Sequence, residues 1–184
     1  LMMAEGATER AKVTTQNLNG KVLAFRGWEI GFDGQSFSLV SHYREGLTRW
    51  TPNQPLEAKC LRRTDEPHES PHANCQCGLY AAKEPTDSIG SITGTVEMWG
   101  RYVEHERGWR AEYAYPVALA ACRCKTCNGT ISFSVAKIAI DPTTGFVPRL
   151  SISCRDCLPS QQDGRQWLPS SYAIEQLEFS YRLE

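Results

Sequence analysis

No run of about 18 apolar residues occurs in the 184-residue chain, so no membrane-spanning helix is expected. Neither sign of charge dominates. Twenty Lys and Arg stand against 21 Asp and Glu, a formal net charge of −1, and that balance demands no polyanionic partner. Internal repeats and low-complexity tracts are absent, which sets aside solenoid and linker-like classes. The opening Leu1-Met2-Met3-Ala4-Glu5-Gly6 holds no basic segment followed by an apolar one, so no secretory signal is expected. A Gly-rich phosphate loop, a His-Glu-x2-His pair and a Ser-His-Asp order are all missing. What is present is ordinary for a globular protein: 41% hydrophobic and 22% charged residues, enough to build a core and too apolar for general disorder.

Eight cysteines are the exception: Cys60, Cys75, Cys77, Cys122, Cys124, Cys127, Cys154 and Cys157. An even count suits disulfides in a secreted chain. Tight pairing without a secretory signal suits metal ligation in a reducing cytoplasm, so a cytoplasmic location is expected.

The chain reads as mainly β, a small partly open β-barrel or sandwich with a hairpin near the second half's cysteines. Residues 1–20 read as a flexible arm, 21–120 as a β-rich domain and 121–184 as a cysteine-rich β segment packed on it, with one continuous domain as the alternative. Trp28–Phe32 and Gln35–Val40 flank Asp33-Gly34, a dipeptide that fits a two-residue type I′ hairpin. Leu56 to Leu61 is a short strand candidate, and 62–78 a loop. Ile89 to Trp99 reads as a strand with a bend or bulge at Gly100. Trp109 to Tyr115 alternates Trp109, Ala111, Tyr113 and Tyr115 with Arg110, Glu112 and Ala114, so one aromatic strand face is expected, ended or edged by Pro116. Thr130 to Ile140 and Phe146 to Ser153 flank the turn Asp141-Pro-Thr-Thr-Gly145. Tyr172 to Leu183 carries both periods, and a strand from about Gln176 is favoured.

Cys124-Lys-Thr-Cys127 and Cys154-Arg-Asp-Cys157 are two Cys-x2-Cys knuckles. Two thiolates separated by two residues point into one site around a tight turn, and Gly129 eases the first. Two knuckles supply four sulfurs in a tetrahedron, which suits Zn²⁺, and the hairpin between them brings its ends together. Disulfides and iron–sulfur ligation remain alternatives for the same residues. Residues 122–157 resemble a zinc ribbon, a module of many unrelated functions. Four thiolates close the shell, so a structural ion is expected. Cys122 reads as a neighbour that tunes the site or a bystander.

A second group, Cys60, His72, Cys75 and Cys77, with His68 close by, is a candidate for another metal. His ligands would allow open coordination, with Glu69 as a base on bound water. The alternative is a loop whose cysteines pack as small hydrophobes.

Residues 94–116 are densest in aromatic and ionisable groups. A Cys-x-Cys-Gly loop (Cys75, Cys77), a strand ending Trp99-Gly100, then Glu104-His105 before a Gly turn and Arg110-Ala-Glu112, together resemble small uncharacterised bacterial proteins over residues 50–118. That resemblance implies no activity. Physically, Tyr80, Trp99, Arg110 and Glu112 form a candidate ligand face able to stack a planar ring beside a charge. The alternative is that the aromatics fill a core and the charges are solvated. Between residues 122 and 165 six Lys/Arg face three Asp, a modest local excess. The leading expectation is a zinc-stabilised binding module for nucleic acid or a nucleotide-like ligand, with a binding role favoured over catalysis and catalysis left open. The runners-up are a zinc-dependent hydrolase using His68, His72, Cys75 and Cys77, and a protein-interaction adaptor.

Overall fold

Eleven strands, two short 3-10 turns and one α-helix make up the regular elements of the computed structural model, which describes residues 13–14, 20–41, 49–60, 67–131, 137–140, 149–157 and 167–183. In chain order the strands and the α-helix are β1 (Val13–Thr14), β2 (Val22–Phe32), β3 (Phe37–Ser41), β4 (Leu56–Glu57), β5 (Leu79–Ala82), β6 (Ile92–Glu104), β7 (Gly108–Arg123), β8 (Thr130–Ile131), β9 (Lys137–Ile140), β10 (Arg149–Ser153), β11 (Trp167–Pro169) and α1 (Ser170–Tyr181). The protein is mainly β, as expected. Strands β2, β6, β7 and β5 pair antiparallel in a closed ring. The remaining strands extend that ring outward, so it is not a complete barrel.

The long β6–β7 hairpin organises the ring and bends three times. Gly100-Arg101 together face the single residue Glu112, an expected bulge, and Gly100 takes φ +81, which glycine adopts without steric cost. The other two bulges lie on β7. One sits at Pro116-Val117 opposite the Thr95/Val96 step, and there the structure departs from expectation. Pro116 does not end the strand; β7 runs on to Arg123 because a proline without an N–H is tolerated where the ladder is already broken.

The hairpin β2–β3 is also present, with a different turn. Phe32 pairs with Phe37, so four residues, 33–36, make the loop. The Asp33 carboxylate accepts the N–H groups of Gln35 and Ser36 at 3.0 and 2.8 Å, a geometry a two-residue turn has no room for. Gly34 still needs positive φ, +96. The strand from Leu56 shortens to Leu56–Glu57. Of the arm 1–20, Val13–Thr14 pairs with β6, and the rest except Gly20 lies outside the described residues. The hairpin β9–β10 forms as expected; 132–136 and the turn at 141–145 lie outside the described residues.

The C-terminal segment is a helix, not the favoured strand. Ala173, Ile174, Leu177 and Tyr181 are buried at helical spacing, whereas Phe179, which strand alternation would bury, is 84% exposed. The helix ends where Arg182 enters the left-handed region, its N–H bonding back to the last turn. Tyr181 locks the helix to the sheet: its hydroxyl donates to the Trp50 carbonyl and accepts the Leu39 N–H at 3.1 Å. Burial pushes that phenol up to about 12.

One hydrophobic cluster runs from Ala24 to Tyr181. Trp28 and Trp50, both fully buried, meet edge to face at 5.7 Å near its middle. Each such side chain contributes about 1.5–3 kcal/mol by leaving water. The first knuckle follows β7 directly and the second follows β10, which pairs with β2, so both hang from strands of one sheet.

Candidate metal centres and the neighbouring cleft

Strand β7 ends at Arg123 and pairs with β8, which puts Cys124 to Gly129 at a hairpin tip. The tip is closed by Cys124 N–H to the Gly129 carbonyl at 3.0 Å and Asn128 N–H to the Cys124 carbonyl at 2.8 Å. Asn128, not Gly129, takes positive φ here, +58. Gly129 serves by its missing side chain: a Cβ there would lie 3.3 Å from the Cys127 sulfur. The second knuckle follows β10 as a short 3-10 turn, Arg155–Cys157, with Cys157 N–H bonded to the Cys154 carbonyl at 3.1 Å. Lys125 N–H reaches the Ile152 carbonyl at 2.8 Å and ties the two knuckles together.

The sulfurs of Cys124, Cys127, Cys154 and Cys157 all lie within 4.8 Å of one another, a set that could hold a metal ion. Cys127 and Cys154 are 3.8 Å apart, far beyond the about 2.05 Å of a disulfide. Burial raises the Cys124 thiol, but the backbone N–H groups of Cys127, Cys154 and Thr126 outweigh it and bring it down to about 6. Cys157 is pushed up to about 12, first by its hydrogen bond with Cys154, then by burial and the other two thiols. Without a cation the four sulfurs cannot all ionise so close together; a divalent ion removes that conflict. Cys122 stands apart. It is 1% exposed, pairs with Ile92 across the sheet, and burial holds its thiol at about 12, so it belongs to the core.

The second cluster gathers Cys60, His68, Cys75 and Cys77, again with ligand atoms within 4.8 Å of one another. The imidazole that joins the three thiols is His68, in place of His72. The His72 ring lies against that of His68 at 4.9 Å, and its Nδ1 accepts the Asn74 N–H at 3.3 Å. Cys60 and Cys75 sulfurs are 3.8 Å apart, and Cys77 Sγ is 3.5 Å from His68 Nε2. Burial raises the Cys75 thiol, but the Cys77 N–H and its contacts with His68, Cys77 and Cys60 bring it to about 6. Glu69 is 80% exposed and paired with Arg101. Four protein donors leave no open position for a water on which that carboxylate would act.

The residues expected to form a ligand face divide between two sides of β7, since neighbours along a strand alternate. Arg110 pairs with Tyr80 in register and its guanidinium lies 5.8 Å from that ring. It is 3% exposed and turned inward, donating to the carbonyls of Cys75 and Cys77 and, at 2.8 Å, to His105 Nε2. Glu112 grips Arg101 through both carboxylate oxygens, at 2.9 and 3.2 Å. Trp99 stacks on Tyr113 at 6.1 Å on the other side, with Lys21 Nζ 5.1 Å from its ring.

Tyr80 opens instead into a cleft of about 400 Å³ between β5, β2 and the start of β7, where Trp109, Phe25, His105 and Arg107 also line the wall. Tyr80 is 46% exposed, its hydroxyl donating to the Gln76 carbonyl at 2.6 Å. Arg107 pairs with Asp87 at the rim. Burial, then the Arg110 charge, lowers the His105 pKa.

Neither protein-family models, nor curated proteins, nor solved structures match this chain.

The resemblances to a zinc ribbon and to small bacterial proteins therefore rest on their residues alone. Sequence reasoning missed His105, Arg107 and Trp109 as cleft residues. Strands far apart in the chain assemble the cleft, and no spacing signals it. The choice of His68 over His72 depends on the fold of the loop 67–78, where both histidines are equally placed in sequence.

Proposed function

We propose that this protein is a zinc-stabilised binding module whose ligand is a nucleotide-like molecule or a single-stranded stretch of nucleic acid. Zinc suits the four-cysteine cluster. A tetrahedron with Zn–S bonds of about 2.3 Å has edges of about 3.8 Å, and Cys127 and Cys154 stand 3.8 Å apart. Four thiolates close the coordination shell, so this ion would stabilise the fold and not react.

The observation that carries the ligand reading is the convergence of Tyr80, Trp109, His105 and Arg107 on one cleft of about 400 Å³. That volume falls in the range of small-molecule sites. The Tyr80 ring, 46% exposed, offers a stacking face to a planar base. The Arg107–Asp87 pair lies at the rim with the Arg107 side chain 76% exposed. Such a surface pair is worth little by itself, which leaves the guanidinium available to a phosphate.

The test is a tryptophan-fluorescence titration of the zinc-loaded protein with nucleoside monophosphates and short single-stranded oligonucleotides at two salt concentrations. Saturable binding that weakens with salt is expected, with Tyr80→Ala costing about 1–3 kcal/mol of affinity. Absence of binding to every probe, or full affinity in folded Tyr80→Ala, overturns the assignment.

A further inference from the structure

We propose that Cys60, His68, Cys75 and Cys77 hold a second zinc ion, and that this complex is the counter-charge of the buried Arg110 guanidinium. Two independent observations carry the site.

The first is distance. In a tetrahedral site of three thiolates and one imidazole, with Zn–S about 2.3 Å and Zn–N about 2.05 Å, sulfurs lie about 3.8 Å apart and a sulfur and an imidazole nitrogen about 3.5–3.6 Å apart. Cys60 and Cys75 sulfurs are 3.8 Å apart, and Cys77 Sγ is 3.5 Å from His68 Nε2. A disulfide would require about 2.05 Å, and close-packed thiols have no reason to gather an imidazole nitrogen as a fourth member. The donors come from three places: the segment after β4, the loop before β5, and the Cys-x-Cys turn itself. That turn is otherwise secured within the loop by one backbone bond, Cys75 N–H to the His72 carbonyl at 3.1 Å. Arg110 and Tyr80 hold the turn's carbonyls from the sheet, and an ion would tie its side chains to Cys60 and His68.

The second is charge. Arg110 is 3% exposed, and among the described residues no carboxylate pairs with it. Its donors go to two carbonyls and a neutral imidazole nitrogen. A buried cation with only neutral partners is costly. Both carbonyls belong to cluster residues, Cys75 and Cys77. Zn²⁺ with three thiolates and a neutral imidazole carries one net negative charge, placed where the guanidinium is held. Arg110 then relays the metal to the cleft: it fixes His105 by hydrogen bond and lies against Tyr80, two of the cleft's lining residues. The site stands whether or not that cleft takes a nucleotide.

The experiment is metal stoichiometry of the full chain, purified under reducing conditions, by native mass spectrometry and elemental analysis. Wild type should carry two zinc ions, His68→Ala one, His72→Ala two, and His68→Cys two again. Cys127→Ser should lose one ion and keep the other. X-ray absorption on wild type should return about 3.5 sulfurs and 0.5 nitrogen per zinc, a readout that stands if His68→Ala fails to fold. One zinc in wild type, two in His68→Ala, or all-sulfur coordination would overturn the site. A Cys60–Cys75 disulfide in the reduced preparation would do the same.

Discussion

Replacing Arg110 with methionine separates two accounts of the same buried cation. Methionine is shorter but keeps an unbranched apolar stem, so the exchange removes charge and donors while retaining most of the packing along that stem. If the guanidinium is balanced by an anionic zinc complex, its loss leaves the Cys75 and Cys77 carbonyls without their donor. A buried acceptor left unsatisfied costs about 1–3 kcal/mol. Cys75 is 9% exposed and Cys77 more open to solvent, so the second carbonyl recovers part of its loss from water. The sum is about 3 kcal/mol. For a chain of this size that lowers Tm by about 6–12 °C. If instead the cation has no counter-charge, the same two carbonyls are still lost, but methionine also relieves a desolvated unpaired charge, and that relief offsets the loss so that stability stays level or rises. The assay is thermal and urea unfolding of zinc-saturated wild type and Arg110→Met side by side, with the metal content of both measured. Equal or higher stability in a fully zinc-loaded Arg110→Met would refute the charge argument.

Three further outcomes follow from the geometry. Cys154→Ser should release the ion of the four-cysteine site and unfold at least the segment around residues 122–157, because binding and folding are one process there; chelation that leaves circular dichroism and melting untouched would contradict it. Gly34→Val should lose about 1 kcal/mol or more, since φ +96 strains any β-branched side chain although nothing lies within 4 Å of the added Cβ; an unchanged urea midpoint would be the contrary result. His105 should titrate below the about 6.5 of a free imidazole, readable by NMR. The unfolded chain then takes up the proton first as pH falls, so this residue's contribution to stability is complete above that pH and declines below it, and His105→Gln should flatten that slope.

The legible parts of this protein were those set by short spacing. Two Cys-x2-Cys turns announce four sulfurs in one place, because the chain between each pair is too short to separate them. The bulge at Gly100 and the β2–β3 hairpin were legible for the same reason. Even there the local chemistry exceeded the pattern: Asp33 accepts two backbone N–H groups and so draws the turn out to four residues. Helix α1 was misread because its residues satisfy both periods. What decided it was the surface available to it. Tyr181 reaches Trp50 and Leu39 while Tyr115 donates to the Tyr181 carbonyl at 3.0 Å, partners that lie far away in the chain.

Arg110 shows why the candidate face was harder to read than the metal site. Alternation along β7 assigns Arg110 and Trp109 to opposite sides of the strand, and from sequence the charged side reads as the wet one. That inference holds only for a sheet with one face in water. In this protein the loop 67–78, which leads into the neighbouring strand β5, covers the side that carries Arg110, and the Cys75 and Cys77 carbonyls meet it there. Alternation distinguishes two sides of a strand but does not say which is covered, because the cover comes from a loop more than 30 residues earlier in the chain. A cation so enclosed needs an anion, and the residues whose carbonyls it bonds carry thiols that would become thiolates on binding a metal. The loop that buries the charge thus also holds the cysteines able to neutralise it. On the proposed second zinc, metal binding at Cys60, His68, Cys75 and Cys77 and burial of Arg110 would be two halves of one folding event, and loss of either should loosen the wall on which Tyr80 and His105 stand.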